Sequence, residues 1–285
     1  MSHRALRKGV ELLDRNQCKK IIAISENAKG LEESFILKNF PDYQDDILNK
    51  LIMIPPSQKI CLKSYKEKKL ENNYITFTIV GKEFFRKGGM EILKTFDKLI
   101  NENKAVKLNI ISSMKYSDYA TKSTKEDCDI AIHLIKKNCK QIHHYKLLSN
   151  DEVLNVFKKS HVGMLPTFAD SYGYSVLESQ ANGCPVISTD IRALCEINNK
   201  EIGWIINVPK DCYKNAEIHS KEKRTSYSKI IEKNLYEIII KILANPESII
   251  KKGSLCIEKI AMFHHPQIIA NKLEEIYDKA IEPYL

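Results

Sequence analysis

Two carboxylates, Asp170 and Glu178, stand eight positions apart in the stretch FADSYGYSVLESQANGCPVIST (168–189). Gly, Ser and Tyr lie between them, and Gly-Cys-Pro follows. If VGMLP (162–166) is a strand of a parallel sheet, its carboxyl end opens on a crevice where such sheets bind ligands. A helix beginning near Tyr174 then aims unpaired backbone N–H groups and its positive dipole end into that crevice. Gly173 lacks the side chain that would keep a phosphate oxygen from the backbone, and Tyr174 and Ser175 offer their N–H groups. Glu178 sits one turn inside the helix, where its two oxygens can accept from both hydroxyls of a ribose. Asp170, on the loop, reaches a different part of the same ligand. The plainer alternative is that Asp170 or Ser171 caps the helix and Glu178 is a solvated side chain.

A second stretch, IVGKEFFRKGGMEIL (79–93), carries a strand into a loop with Lys82, Arg86 and Lys87 before Gly88-Gly89 opens a helix. Cations in that place can hold a diphosphate, each with about 4 kcal/mol of gross Coulomb energy at ~4 Å in a medium of ε ~20. The alternative is a charged surface loop, whose ion pairs contribute little. The order of residues is neither that of a Walker loop nor G-x-G-x-x-G.

These loops need strands to carry them. Short β-branched runs at 21–25, 74–81, 106–112, 141–145, 162–166, 185–189 and 203–208 read as strands. Between them, 88–103 puts Ile92, Leu93, Phe96, Leu99 and Ile100 on one helical face, and 150–160 does the same with Val153, Val156 and Phe157 behind a cap at Asn150. The alternation predicts an α/β fold with a Rossmann-like parallel sheet and helices on both faces. MIPPSQ (53–58) reads as a linker, with one strand and its flanking helices before it. The polar stretch 210–229 reads as an exposed loop, and the C-terminal HHPQIIANKLEEIYDKAIEPYL as a Pro-started helix.

Composition excludes several classes. The chain has 285 residues, 43% hydrophobic and 28% charged, as in soluble globular proteins. No apolar run approaches the ~18 residues of a membrane span, and the N-terminus has no apolar signal core, so a cytoplasmic protein is expected. The eight cysteines form no Cys-x-x-Cys pair, which favours reduced thiols over zinc or disulfides. Net charge of +9 favours an anionic partner. Asp127-Cys128-Asp129 is formally D-x-D, a metal–diphosphate signature, but it opens a helical run where Asp is a favoured cap. His143-His144 and His264-His265 are adjacent pairs whose side chains diverge, so no metal site is expected.

Together the two loops resemble the retaining glycosyltransferases of the GT-B fold. That family carries a strand ending in Val-Gly-Arg or Val-Gly-Lys, then Lys-Gly, then two acids spaced as here, within E-G-F-G-L-x-x-L-E-A-x-A-x-G-x-P-V-I. The chain has VGKEFFRKGG and DSYGYSVLESQANGCPVI, then STDIRALCEI and GWIINV in the family's order. The resemblance covers roughly residues 20–280. It implies a nucleoside-diphosphate sugar as donor substrate, held by Gly81, Lys82, Arg86 and Lys87 at the diphosphate, by the backbone of Gly173, Tyr174 and Ser175, and by Glu178 at the ribose. Asp170 would contact the donor sugar, and Ile142 and His143 fall where the family reads the base. Lys82, Lys87, Asp170 and Glu178 would be the catalytic set, with no cofactor and no metal required, because lysines supply the positive charge.

The sequence departs from the family in three respects, the largest being the short stretch that precedes the nucleotide domain. Asp170 replaces the usual first Glu, and the linker reads IPPS. Residues 1–56 match only the tail of the family's acceptor-side domain, 57–264 its nucleotide-sugar domain and 265–285 its crossover helix. The expectation is therefore transfer of a sugar, with retention, to a cell-surface glycan or lipid-linked acceptor. Either a second chain would supply the acceptor half or the chain is a shortened gene product, and a peripheral contact with an anionic inner membrane face is a further expectation. A non-catalytic sugar-nucleotide-binding subunit is the alternative. A nucleic-acid-binding scaffold is a third reading, and no nucleic acid partner is expected.

Overall fold

The computed structural model describes residues 3–68, 70, 73–117 and 119–281. By its contacts the chain forms two compact units, one of the residues up to Gln58 with those from Phe263 onward, the other of Lys59–Met262.

In the first unit, α1 (His3–Asp14), β1 (Ile21–Ala23), α2 (Glu26–Asn39), α3 (Gln44–Lys50) and β2 (Leu51–Met53) follow one another. Val10, Ile36, Phe40 and Ile47 form its buried core. The expected single strand is in fact a parallel pair, with Ile21 opposite Leu51 and Ala23 opposite Met53. β2 has only three residues and runs into the prolines, so it carries no period to read. The prolines lead back to the chain's end: His264 Nδ1 lies 2.8 Å from Pro56 O, and the Gln58 N–H donates to His264 O at 2.8 Å.

The second unit runs β3 (Ile75–Val80), α4 (Gly89–Asn101), β4 (Val106–Ile111), α5 (Lys125–Lys137), β5 (Ile142–Tyr145), α6 (Asn150–Lys158), β6 (Val162–Leu165), α7 (Tyr174–Ala181), β7 (Val186–Thr189), α8 (Leu194–Ile197), β8 (Trp204–Ile206), α9 (Lys221–Ala244) and α10 (Glu247–Phe263); α11 (Pro266–Ile281) belongs with the first unit. Its six strands are all parallel, in the order β5-β4-β3-β6-β7-β8. Alternating residues of β3 serve opposite faces. Phe77 meets Phe96 of α4 edge-on, ring centroids 5.4 Å apart, whereas Thr78 Oγ1 lies 2.6 Å from Ser160 Oγ just beyond α6. Phe77, Phe96, Ile92 and Leu99 are fully buried, so α4 is held by its apolar stripe.

Residues 210–229 are only in part a loop. α9 begins at Lys221, and the Ser220 hydroxyl caps it by accepting from the Lys223 N–H at 3.2 Å. Its buried stripe, Tyr227, Ile231, Leu235, Ile239 and Ile242, starts almost two turns in, so the first turns look like a polar loop in sequence.

Candidate active site

Strand order reverses between β3 and β6, which are hydrogen-bonded neighbours. That is the topological switch point of an open parallel sheet, where the carboxyl ends of the strands leave a crevice. Both loops singled out from the sequence emerge there, residues 81–88 from β3 and 166–173 from β6. Hydrogen bonds stitch them together: the Phe168 N–H and the Thr167 hydroxyl both donate to Arg86 O, at 2.8 and 2.9 Å. Gly88 turns the first loop at φ +79°, and a Cβ on it would lie 2.1 Å from Pro166 O. Thr167 O accepts in turn from Thr189 Oγ1 at 2.9 Å and from Tyr227 Oη at 3.1 Å.

The charged groups converge in this frame. Lys87 Nζ lies 3.4 Å and Arg86 Nη1 3.9 Å from Asp170 Oδ2. The Asp170 side chain is only 12% exposed, and its Oδ2 has no hydrogen-bond partner. Arg86 also pairs with Glu83 and donates to Ala169 O, which fixes its plane across the two loops. The stem of Lys87 lies over Gly81, since a Cβ there would stand 2.0 Å from Lys87 Cδ. Lys82 is exposed, and its carbonyl accepts from Ser113 Oγ at 3.2 Å.

No side chain caps α7: its N-cap is Gly173 at φ +99°, and Asp170 Oδ1 accepts from the Tyr172 N–H at 3.4 Å instead. The capping alternative is therefore excluded, and the first turn keeps its positive end toward the crevice. Ser175 Oγ, in that turn, is buried without a partner, while Tyr174 is exposed. The reason for Gly173 differs from the expected one. Its missing Cβ would meet Leu194 Cδ2 at 2.6 Å, so the glycine serves the left-handed turn and the packing behind it. At the other end Gly183, at φ +63°, closes α7 in a Schellman motif, with Gly183 N–H to Gln180 O at 2.9 Å and Cys184 N–H to Ser179 O at 3.0 Å.

Glu178 accepts from Asn150 Nδ2 at 3.2 Å. Burial pushes its carboxyl above the ordinary range, and the Asn150 hydrogen bond and the Lys87 charge oppose that shift. Asn150 was expected as the cap of α6, but Ser149 takes that role in a capping box with Glu152, which leaves the Asn150 amide for Glu178. Sequence reasoning missed this residue. Its one signal is an Asn directly behind a better capping Ser.

Ile142 and His143 do not stand at the crevice edge. Ile142 is buried at the start of β5 opposite Leu108, and His143 faces a cavity with Asn109, Lys107 and Val156. The carboxyl end of β5 is Tyr145, whose carbonyl accepts from the Ser112 N–H at 3.0 Å. Asp127 accepts from the Thr124 N–H at 2.8 Å in the capping box of α5, which accounts for the formal D-x-D. Among the described residues no group of three or more His, Cys, Asp or Glu side chains is placed to hold a metal ion.

An open, all-parallel six-stranded sheet whose order reverses between β3 and β6 is the Rossmann-like architecture of the GT-B glycosyltransferases. The family model for glycosyl transferases group 1 matches residues 63–235, and the chain belongs to that family. The capsular polysaccharide biosynthesis glycosyltransferase CapM of Staphylococcus aureus is 25% identical over 142 residues, 50% of this chain and 35% of that relative. The chain therefore spans about a third of the length of the curated relative it matches. Among solved structures, a glycosyltransferase from Rickettsia africae superposes with a TM-score of 0.67 at 16% identity, covering 96% of this chain and 67% of that one. HepE of Anabaena, solved with UDP and glucose, gives 0.65 at 11% identity over 98% of this chain and 67% of its own. At such identities the likeness shows the GT-B fold. No helix among the described residues is long and apolar enough to cross a membrane.

Proposed function

We propose that the crevice between β3 and β6 binds a nucleoside-diphosphate sugar and that the chain takes part in transferring the sugar, with retention, to a glycan or lipid-linked acceptor. The observation that carries this is the convergence of Lys87, Arg86, Asp170 and Glu178 on an uncapped helix start at the switch point. In transfer the bond from anomeric carbon to diphosphate oxygen breaks, the acceptor oxygen bonds to that carbon and passes its proton to the departing diphosphate oxygen, and the nucleoside diphosphate leaves. The cations of Lys82, Arg86 and Lys87 and the N–H groups of Tyr174 and Ser175 meet the charge that develops on the leaving group. These side chains supply positive charge without a metal ion. Glu178 exchanges the Asn150 amide for ribose hydroxyls. Asp170 holds Lys87 and Arg86 in place as their counter-ion, and its Oδ2, ion-paired but not hydrogen-bonded, accepts from a hydroxyl of the donor sugar. The solved HepE complex with UDP and glucose supports this class of donor.

Calorimetric titration with UDP, GDP and ADP tests the site. At least one nucleotide should bind, and Glu178→Ala should weaken it about 10- to 100-fold, since hydrogen bonds to a charged group are lost. No affinity for any of the three overturns the assignment. Binding without transfer to any of a panel of acceptors would make the chain a sugar-nucleotide-binding subunit instead. The anomeric configuration of a product, read by NMR, tests retention.

A further inference from the structure

A second cavity, of about 560 Å³, lies between α4, α9 and the loop that precedes α5. Lys87, Asp170, Glu178 and Asn150 are not among its lining residues. It meets the donor loops only through Phe85 and Phe168, both buried, and Phe168 rests on the Tyr227 ring at 4.8 Å. Such a volume suits a small ligand.

Two lining groups are unsatisfied. Glu91 is 6% exposed, and although its Oε1 accepts from Ser228 Oγ at 2.6 Å, its Oε2 is buried without a partner. Thr121 Oγ1, on the facing loop, is also buried and unpartnered. A buried polar atom left so is costly, and a bound ligand is one way to satisfy it. Among the described lining residues, Lys94, Lys221, Arg224 and Lys229 stand around these two, with Asp127 and Glu232. Glu232 is engaged with Lys94 at 3.2 Å, and Asp127 with the capping box of α5. Lys221, Arg224 and Lys229 cluster at the α9 end, with Glu222 beside the first two, and the unpartnered acceptor is at the α4 end.

We propose that this cavity binds a phosphate monoester of a sugar or polyol, the phosphate against Arg224, Lys221 and Lys229 and a hydroxyl against Glu91 Oε2 and Thr121 Oγ1. Guanidinium and ammonium groups suit a dianionic phosphate. A cationic ligand would meet Lys221, Arg224 and Lys229, and an inorganic anion alone would leave Glu91 Oε2 unsatisfied. Burial pushes the Glu91 carboxyl up to about 7, so near neutrality it samples both protonation states, and a hydroxyl partners either one. This site is independent of the donor crevice and stands whether or not UDP binds there.

Calorimetry with glucose 6-phosphate, with and without excess UDP, tests the proposal, with inorganic phosphate and glucose as comparison probes. One equivalent of glucose 6-phosphate should bind in both conditions, more tightly than phosphate, with no heat from glucose. Arg224→Ala should weaken it by about tenfold or more, the range of a lost charge-assisted hydrogen bond. Lys229→Ala, at an exposed position that leaves the fold intact, should weaken it severalfold. Glu91→Gln should weaken glucose 6-phosphate but leave phosphate unchanged, with thermal unfolding confirming that each variant is folded. The proposal is overturned if glucose 6-phosphate shows no affinity, if UDP displaces it competitively, or if neither Arg224→Ala nor Lys229→Ala alters its binding.

Discussion

Lys87 reaches Asp170 across a glycine. Because a Cβ at Gly81 would stand 2.0 Å from Lys87 Cδ, a side chain there would displace the lysine stem without touching the strand core. Gly81→Ala should therefore act through Lys87: nucleotide affinity should fall about tenfold, as for loss of one charge-assisted contact, with little change in melting temperature. Adding Gly81→Ala to Lys87→Ala should cost nothing further, since residues that act as a unit are non-additive. Additive losses in that cycle would separate the two residues. Lys82 is simply exposed, whereas the meeting of Arg86 and Lys87 with Asp170 was legible because residue types and spacing are themselves the signal. The Asn150–Glu178 contact was not, because an Asn before a helix reads as a cap until Ser149 is seen to hold that place. Nor was the cause of Gly173, whose missing side chain faces Leu194 rather than a ligand.

At the scale of the element, α7 is an eight-residue helix defined by two left-handed glycines, Gly173 and Gly183. Gly173→Ala combines a strained φ with a clash on Leu194 and should destabilise the protein by about 1–3 kcal/mol, read as a lower urea midpoint with an unchanged slope. An unchanged midpoint would mean that the turn relaxes freely and does not position the helix start. Long elements with an early apolar stripe, such as α4, could be read from sequence. α9 was half hidden, because Lys221–Ser226 precede its first buried residue, Tyr227. β2 was hidden because three residues contain no period, and its pairing with β1 is set by tertiary packing.

Over the whole molecule, the strand order of the six-stranded sheet is what turns two distant stretches of sequence into one site. Parallel order was predictable from alternation, but which strands become neighbours is decided by long-range packing. Stability at this scale should carry the mark of Glu91, whose carboxyl is pushed from 4.5 up to about 7 chiefly by burial. The folded state then holds a proton that the unfolded chain has released, so stability should fall as pH rises from about 4.5 to about 7 and level off above. The total should be roughly 3 kcal/mol, and denaturation of Glu91→Gln across that range should lack this component. A variant that keeps the full slope would assign the pH dependence elsewhere.

Thr167 O, with hydroxyls of Thr189 and Tyr227 both donating to it, sits at the root of the loop that carries Asp170. A loop anchored at that point from a neighbouring strand and from α9 has little conformational freedom left to surrender. Capture of a ligand by it therefore costs little ordering entropy, and the heat released reports the contacts themselves. The same rigidity keeps the helix start in register with the Arg86 and Lys87 cations.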